Sequence, residues 1–355
     1  MAKKRIHWLD AAKGFLMILV VLGHYPHEMP FPLIQYIYWF HMPAFFLLSG
    51  IFFKEVHSLK EANGTLTKRF MQLLFPYFFF LLAITSVRYS IELATLNFDW
   101  RWYAEDFLKI LIGGRFARGA YGVIWFITTL YFSYVIFTFL TLYTKRTTQW
   151  AVLFLLYTIA HIQSFWAMDV VGGAPDQASQ AIPMLWNLDV AFIAVVYFAI
   201  GSYLKSFWLE VPNKVGVAGL FVTIIAIAVD KIGWIDYHLS LKFLRYNHFV
   251  LDLVIPLAMI VVFVWVFQLL AKYLEMKPMQ FIESHSIAIM YLHIFTYMIL
   301  NDYFLLGPIG FTVAGIVFPI LASLAIQKLI PHGEVVLGNI SRLRVTKKQL
   351  NRSNG

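Results

Sequence analysis

The sequence contains no cysteine among its 355 residues. It therefore cannot form a disulfide, a thiolate metal site or a cysteine nucleophile, and covalent catalysis through cysteine is excluded. Charge is also scarce, because only 13% of the residues are Asp, Glu, Lys or Arg whereas 60% are hydrophobic. A water-soluble domain cannot bury so much apolar surface, and the composition therefore predicts a membrane protein.

The apolar residues form long continuous runs rather than short alternating strands. A spanning helix needs about 20 apolar residues, so the runs predict an all-α polytopic membrane protein with about ten transmembrane helices. We expect one transmembrane domain over residues 1–335 and a polar cytoplasmic tail over 336–355, close to anionic lipid headgroups. The first run lacks a signal cleavage site and is interpreted as a retained span. The predicted spans are 9–26, 32–53, 70–93, 121–143, 149–167, 185–207, 213–230, 248–271, 281–300 and 307–330.

The net charge of +9 is explained by basic residues that flank these spans. With a cytoplasmic N-terminus, 19 of the 28 Lys and Arg residues fall on the cytoplasmic side and 7 on the other side. The positive-inside rule therefore favours cytoplasmic termini at both ends in a multi-pass protein of the cell membrane. It also explains the positive charge without a nucleic-acid partner, and none is expected.

The first span carries an acid, a base and an imidazole: Asp10, Lys13 and His24. On a helix, Lys13 and His24 are only about 20° apart in azimuth and about 16 Å apart along the axis. Asp10 precedes Lys13 by one turn and can pair with it. Ionisable groups within a span indicate a functional site that faces the protein interior or a wet cavity. The alternative is that Asp10 and Lys13 are a snorkelling pair at the inner headgroups.

A second polar stripe lies in the ninth predicted span, where Glu283, Ser286, Met290 and His293 follow helical spacing. His293 lies at a depth comparable with that of His24. Two intramembrane histidines at similar depth indicate a reaction centre or a proton path. Alternatively, His293 only forms a hydrogen bond to a neighbouring helix.

The second and third spans add further polar candidates. His41 lies close in depth to His24, while Ser49 and Gly50 lie deeper, where small residues let helices approach closely. Lys68 and Arg69 begin the third span on the cytoplasmic side. They either contact phosphate groups or set the topology.

Two stretches outside the spans invite a function. The segment "HYPHE" at 24–28 offers His24, His27 and Glu28 as metal ligands, but Pro26 breaks the helix and the spacing matches no common zinc motif, so no metal is expected. The connection 94–120 mixes aromatic, basic and aliphatic residues. It is interpreted as an interfacial helix or as a structural loop anchored by Trp100 and Trp102.

Together these residues resemble the acyltransferase 3 family of integral-membrane acyltransferases, especially its branch similar to fucose 4-O-acetylase. The family pattern in the first span is an acid, a basic residue and a histidine eleven positions later. The wider family usually has arginine where this chain has Lys13, which weakens the transfer of any role that needs a guanidinium group. The matching residues are Asp10, Lys13, Gly14 and His24; His41, Met42, Pro43, Phe45, Phe46, Ser49 and Gly50; Lys68, Arg69, Pro76 and Tyr77; Trp125 and Phe126; and Tyr291, Leu292 and His293.

The resemblance implies an O-acyltransferase that moves an acyl group, usually acetyl, from cytoplasmic acetyl-CoA to a hydroxyl of a surface polysaccharide or lipid-linked saccharide. It implies acyl-donor binding by Lys13, Lys68, Arg69, Ser49 and Trp125. We predict that His24 is the general base, that His41 or His293 orients it or stabilises the oxyanion, and that Asp10 sets the position of Lys13. An acetyl-histidine intermediate is the alternative to direct transfer.

Two other classes of function remain open on the sequence alone. A transporter or flippase for a lipid-linked glycan could use the histidines as a proton path. A membrane sensor or scaffold would need no chemistry, which the buried ionisable groups argue against. The acceptor sugar, the size of the acyl group and the oligomeric state are not predicted.

Overall fold

The structure, a computed structural model, describes residues 6–27, 33–95, 98–172, 177, 182, 184–246, 248–301 and 303–340. Within these ranges the regular secondary structure is helical, apart from one isolated antiparallel bridge between Ser240 and Arg245. The α-helices are α1 His7–Gly23, α2 Leu33–Tyr38, α3 His41–Gly50, α4 Leu59–Ala94, α5 Trp100–Ile112, α6 Trp125–Tyr143, α7 Arg146–Phe165, α8 Val190–Tyr203, α9 Lys205–Leu209, α10 Asn213–Lys231, α11 Leu251–Leu270, α12 Lys277–Ser284, α13 Ser286–Leu300, α14 Pro308–Leu329 and α15 Gly333–Val336.

The described helices confirm the predicted all-α polytopic membrane protein. Seven helical segments in the described part of the chain are long and apolar enough to cross a membrane, and each corresponds to one of the ten predicted spans. The other three predicted spans correspond to shorter helices: α1, the pair α2 and α3, and the pair α12 and α13. The total of ten spans and the cytoplasmic location of both termini stay predictions. The tail from residue 341 and the potential metal ligand Glu28 lie outside the described residues.

Large apolar side chains on the outside of the bundle fit a lipid environment. Leu82 on α4 and Phe221 on α10 are 70% and 65% exposed. In water such surfaces would cost free energy in proportion to their apolar area, whereas lipid tails solvate them. We therefore infer that the exposed faces of these helices contact lipid.

At the centre of the bundle, glycines allow helices to cross in close backbone contact. A Cβ atom on Gly50 of α3 would collide with the backbone carbonyl of Phe198 on α8, and one on Gly201 would collide with that of Leu47. A Cβ on Gly14 of α1 would likewise collide with the carbonyl of Met279 on α12. The predicted packing role of Gly50 is thus confirmed, and the close crossings fix α3 and α1 next to their neighbours.

The connection between α4 and α6 contains a helix, as one of the two interpretations of residues 94–120 predicts. Asp99 caps α5 by accepting a hydrogen bond from the backbone N–H of Arg101 at 2.9 Å. The guanidinium of Arg88 on α4 donates to the carboxylate of Asp106 at 3.0 Å, which ties α5 to α4. Large side chains such as Trp100 and Phe107 point away from the bundle and are 64% and 55% exposed. This amphipathic arrangement suits the membrane interface.

Candidate functional site

The histidine cavity is a space of about 320 Å³ at one end of the bundle. Its walls come from the end of α1, the start of α3, the start of α6 and the loop that joins α10 to α11. His24 and His41 line it together with Trp125, so three of the predicted site residues share one cavity. α1 ends just before His24, two residues ahead of Pro26, and this places the imidazole at the cavity rather than inside a continuous helix.

Three histidines are held by the same local hydrogen bond. The Nδ1 atoms of His24, His41 and His293 lie 2.7, 2.7 and 2.8 Å from the carbonyl oxygens of the residues four positions earlier. A carbonyl oxygen only accepts hydrogen bonds, so Nδ1 carries the proton in each ring. Nε2 of each neutral imidazole is therefore a lone-pair acceptor, as a general base requires.

His293 lies directly behind His24. The two ring centroids are 5.1 Å apart with the planes nearly perpendicular, and His293 has no exposed surface. Its Nε2 atom is buried and has no hydrogen-bond partner among the described residues. Gly315 on α14 makes room for this arrangement, because a Cβ there would lie 3.3 Å from the Cβ of His293 and 2.7 Å from Val21.

Tyr38 connects the two histidines that line the cavity. Its hydroxyl donates to the carbonyl oxygen of Gly23 at 3.1 Å, and its ring lies 5.0 Å from His41 and 6.5 Å from His24. Tyr38 thus ties the end of α1 to the start of α3. Nothing in the sequence distinguishes Tyr38, because a tyrosine three residues before a histidine in an apolar run has no distinctive spacing.

The lysine cavity, of about 390 Å³, adjoins the histidine cavity. It is lined by the predicted donor-binding residues Lys13, Arg69 and Ser49. The Lys13 ammonium lies 4.5 Å from the centroid of Phe52, and the Arg69 guanidinium lies 4.4 Å from that of Tyr134. Both cations therefore rest on aromatic rings, which stabilises them by cation–π attraction.

Two carboxylates partly offset the positive charge of the lysine cavity. Glu283, which lines it, and Asp10, one turn before Lys13, are both close enough to attract the Lys13 ammonium. The predicted pairing of Asp10 with Lys13 agrees with this proximity. Asp10 itself is not one of the side chains that line either cavity.

Four apolar side chains belong to both cavities, and we name them the collar: Met17, Phe45, Phe126 and Met290. On α1 the order Lys13, Met17, His24 leads from the lysine cavity through the collar to the histidine cavity. Glu283, Ser286 and Met290 make the same progression on α12 and α13. Residues of both predicted polar stripes therefore line the two adjoining cavities, except Asp10 of the first stripe and His293 of the second. Among the described residues, the four side chains of the collar are the ones that border both cavities.

Lys68 is the predicted donor-binding residue that lies away from this arrangement. It is exposed on α4, one residue before Arg69, and is not among the side chains that line the lysine cavity. α4 has 36 residues and is about 54 Å long, which exceeds the hydrocarbon thickness and carries its first turns beyond the lipid core. Adjacent residues on a helix point in directions 100° apart, which explains why Arg69 reaches the cavity and Lys68 does not.

Two basic residues of the histidine cavity were not identified as site residues from the sequence: Lys242 and Arg118. The Lys242 ammonium donates to the carbonyl oxygen of Gly122 at 2.8 Å. Burial, and to a lesser degree the positive charge of Arg118, lowers the pKa of Lys242 to about 7. Both residues lie in connections without helical periodicity, so only their basic character in an apolar chain could have drawn attention to them.

Comparisons with known proteins identify the family to which the chain belongs. The family model described as an acyltransferase domain matches residues 6–328. The nodulation protein NolL of Mesorhizobium japonicum is 26% identical over 145 residues, which are 38% of this chain and 36% of that protein. The match thus spans about a third of that relative. No solved structure matches this chain.

Proposed function

Because the chain belongs to the acyltransferase 3 family of membrane acyltransferases, we propose that it transfers an acyl group, acetyl in the simplest case, from cytoplasmic acyl-CoA to a hydroxyl of a surface polysaccharide or lipid-linked saccharide. The observation that carries this proposal is the pair of adjoining cavities, one with cations and one with histidines, on either side of the collar. The proposed location is the cell membrane, with the lysine cavity toward the cytoplasm.

The lysine cavity suits the anionic end of the donor. Coenzyme A carries phosphate groups at one end and a thioester at the tip of a long flexible arm. Lys13 and Arg69 are the cations of this cavity, and charge-assisted hydrogen bonds from such groups to phosphate are short and strong. Ser49 lines the same cavity and offers a hydroxyl to the arm. Lys68 is left out of the proposed binding set because it is exposed and outside the cavity.

The collar is the proposed route for the arm. Its four side chains offer apolar surface and no charge, which suits a thin, mostly uncharged chain that must pass between two polar compartments. The Met17 and Met290 side chains are unbranched and readily change rotamer, so they can move aside without displacing a helix. The thioester would then enter the histidine cavity beside His24 and Trp125.

The proposed reaction is a direct transfer in which atoms and charges balance. His24 Nε2 takes the proton from the acceptor hydroxyl, whose oxygen attacks the thioester carbonyl carbon. The tetrahedral intermediate collapses with cleavage of the C–S bond, and the leaving thiolate takes the proton back from His24. The products are the O-acyl saccharide and free CoA, and the imidazole returns to its starting state.

The geometry favours different roles for the two other histidines. His293 lies behind His24, away from the cavity walls, so we assign it a positioning role in which its ring holds the base. His41 lines the cavity and can accept a hydrogen bond from the acceptor at Nε2. A neutral His41 has no proton on Nε2, so it cannot donate to an oxyanion.

The proposed base is tested by replacing it. In membranes that contain the natural acceptor, His24→Ala is expected to lower label transfer from [acetyl-¹⁴C]acetyl-CoA by roughly 10² to 10⁴, the usual contribution of a positioned general base. His27→Ala is the matched control, because His27 is exposed, three residues away and outside the cavity. Its activity should equal that of the wild type.

The assay also separates a transferase from a transporter, since only a transferase releases free CoA in step with glycan labelling. Full activity of folded His24→Ala protein would remove His24 from the mechanism. A wild-type protein that exports glycan and releases no CoA would contradict the transferase proposal itself.

A further inference from the structure

The histidine cavity is lined by two basic side chains in addition to its histidines. Lys242 and Arg118 both lie close to Phe243, with the ammonium nitrogen 5.1 Å and the guanidinium carbon 5.9 Å from the centroid of that ring. All three side chains line the cavity. One cavity thus contains two basic groups and the His24 imidazole.

No aspartate or glutamate is among the described residues that line this cavity. The lysine cavity differs in this respect, because Glu283 faces Lys13 there. Lys242 is half-buried and uses one of its three N–H donors on the carbonyl oxygen of Gly122. Its other two donors are available to a ligand in the cavity.

A half-buried ammonium without a carboxylate is costly, since burial disfavours the charged form. The lowered pKa of Lys242 reflects that cost. An anion bound beside Lys242 would restore the charged form and be held by it, with Arg118 adding a second positive charge. A neutral sugar gains neither effect.

We propose that the histidine cavity contains an anion subsite, built by Lys242 and Arg118, that binds a carboxylate or phosphate group of the acceptor saccharide while His24 faces the hydroxyl to be acylated. The inference rests on the proposed function and narrows it: the acceptor is an acidic or phosphate-bearing glycan rather than a neutral one. The ionic contact would orient the acceptor and select among its hydroxyl groups.

The subsite can be tested without turnover by measuring the reactivity of the Lys242 amine. Purified wild-type protein is treated with deuterated acetic anhydride, a small neutral reagent that acetylates amines with loss of acetate, and each lysine is quantified by peptide mass spectrometry. Exposed Lys231 is the internal control. The probes are methyl glucuronide, glucose 1-phosphate and the neutral methyl glucoside.

We expect acidic probes to slow acetylation of Lys242 saturably, by about tenfold at ten times the dissociation constant. Lys231 should be unaffected, and methyl glucoside should protect neither lysine. Protection by the glucuronide assigns the subsite to an acidic sugar, and protection by glucose 1-phosphate assigns it to a phosphate linkage. Equal reactivity of Lys242 with all three probes and without them would overturn the proposal.

A kinetic experiment distinguishes this role from a purely catalytic one. In membranes with the natural acceptor, Lys242→Met should raise the acceptor KM about tenfold or more, because a hydrogen bond to a charged group contributes roughly 1.5 to 3 kcal/mol. The KM for acetyl-CoA should not change, and Lys231→Met should behave as the wild type.

A fall in kcat at constant acceptor KM would contradict the subsite and instead indicate stabilisation of the oxyanion. Failure of the proposed function looks different. In that case acidic probes still protect Lys242, but no acetyl group reaches the glycan.

Discussion

At the scale of single residues, the chemistry depends on which nitrogen of each histidine carries a proton. The carbonyl oxygens of Val20, Ile37 and Ile289 fix Nδ1–H in three rings and leave Nε2 free to accept. A helical backbone thus does for His24, the proposed general base, what a carboxylate does in other general-base systems, because it sets the tautomer and the ring orientation.

A prediction at the same scale compares two lysines of the same charge, Lys13 and Lys68. Lys13→Met should raise the KM for acetyl-CoA by about tenfold or more while leaving the KM for the glycan unchanged, since a charge-assisted hydrogen bond is worth roughly 1.5 to 3 kcal/mol. The matched control is Lys68→Met, which should change neither constant because Lys68 is exposed outside the lysine cavity. Steady-state kinetics with each substrate varied in turn measure both effects.

The opposite ranking of the two lysines would show that phosphate binds on the α4 surface rather than in the lysine cavity. A larger effect of Lys13→Met on the glycan than on acetyl-CoA would remove the donor assignment altogether.

Helical spacing sufficed to predict which side chains line the two adjoining cavities. Lys13 on α1 and His24 directly after it line the lysine and the histidine cavity, and Glu283, Ser286 and Met290 of the predicted second stripe line them as well, whereas His293, the fourth member of that stripe, lines neither. Lys242 and Arg118 could not be found this way, because they lie in two different connections between helices, α10 to α11 and α5 to α6, that reach the cavity through tertiary contacts. One of these contacts is the hydrogen bond from Lys242 to Gly122, 120 residues away in sequence.

At the scale of helices, glycines decide where the site-bearing elements sit. Gly50 ends α3, the helix that begins with His41, and it packs on the backbone of α8 at Phe198. Any added carbon at Gly50 meets backbone, which cannot move aside as a side chain can. The position of His41 therefore depends on a crossing about two and a half helical turns away.

This crossing yields a prediction about stability. Gly50→Ala should destabilise the protein by about 1 to 3 kcal/mol, the usual cost of overpacking. Gly64→Ala on α4 is the matched control, since nothing lies within 4 Å of its added carbon. Alanine there should be neutral or stabilising by up to about 1 kcal/mol, because glycine weakens helix interiors. The fraction of each variant that stays monodisperse in detergent after heating compares them.

Equal heat resistance of the two alanine variants would show that α3 and α8 do not pack as closely as Gly50 and Gly201 indicate.

Several predicted spans are interrupted, which an apolar run cannot reveal, and two of them carry site residues. Residues 32–53 form α2 and α3 with a break at Trp39 and Phe40, where the Trp39 indole donates to the carbonyl oxygen of Tyr237 at 3.0 Å. Residues 281–300 break at His285, between α12 and α13. Hydropathy depends on composition along the chain, whereas both breaks depend on backbone angles and tertiary contacts.

At the scale of the whole molecule, the sidedness of the bundle decides whether the two cavities face different compartments. The absence of native cysteine makes this directly measurable, because a single introduced thiol has no background. Lys231 ends α10, and Lys272 follows the end of α11. Lys231→Cys and Lys272→Cys therefore place exposed thiols at opposite ends of the hairpin that these two helices form. An impermeant maleimide should label position 231 on intact cells and position 272 only after the cytoplasmic face is opened.

Labelling of both positions from the same side would contradict the predicted topology. Labelling with the sides exchanged would place the termini outside and reverse the direction proposed for acyl transfer.

We propose that donor and acceptor approach one reaction centre from opposite faces of the membrane. The most direct test uses sealed vesicles with the protein in one orientation, [acetyl-¹⁴C]acetyl-CoA on the Lys13 side and the acceptor glycan on the Lys242 side. We predict that label reaches the glycan in this arrangement, and that it does not when both substrates are confined to either single face. Transfer that occurs only with both substrates on the same face would contradict the account.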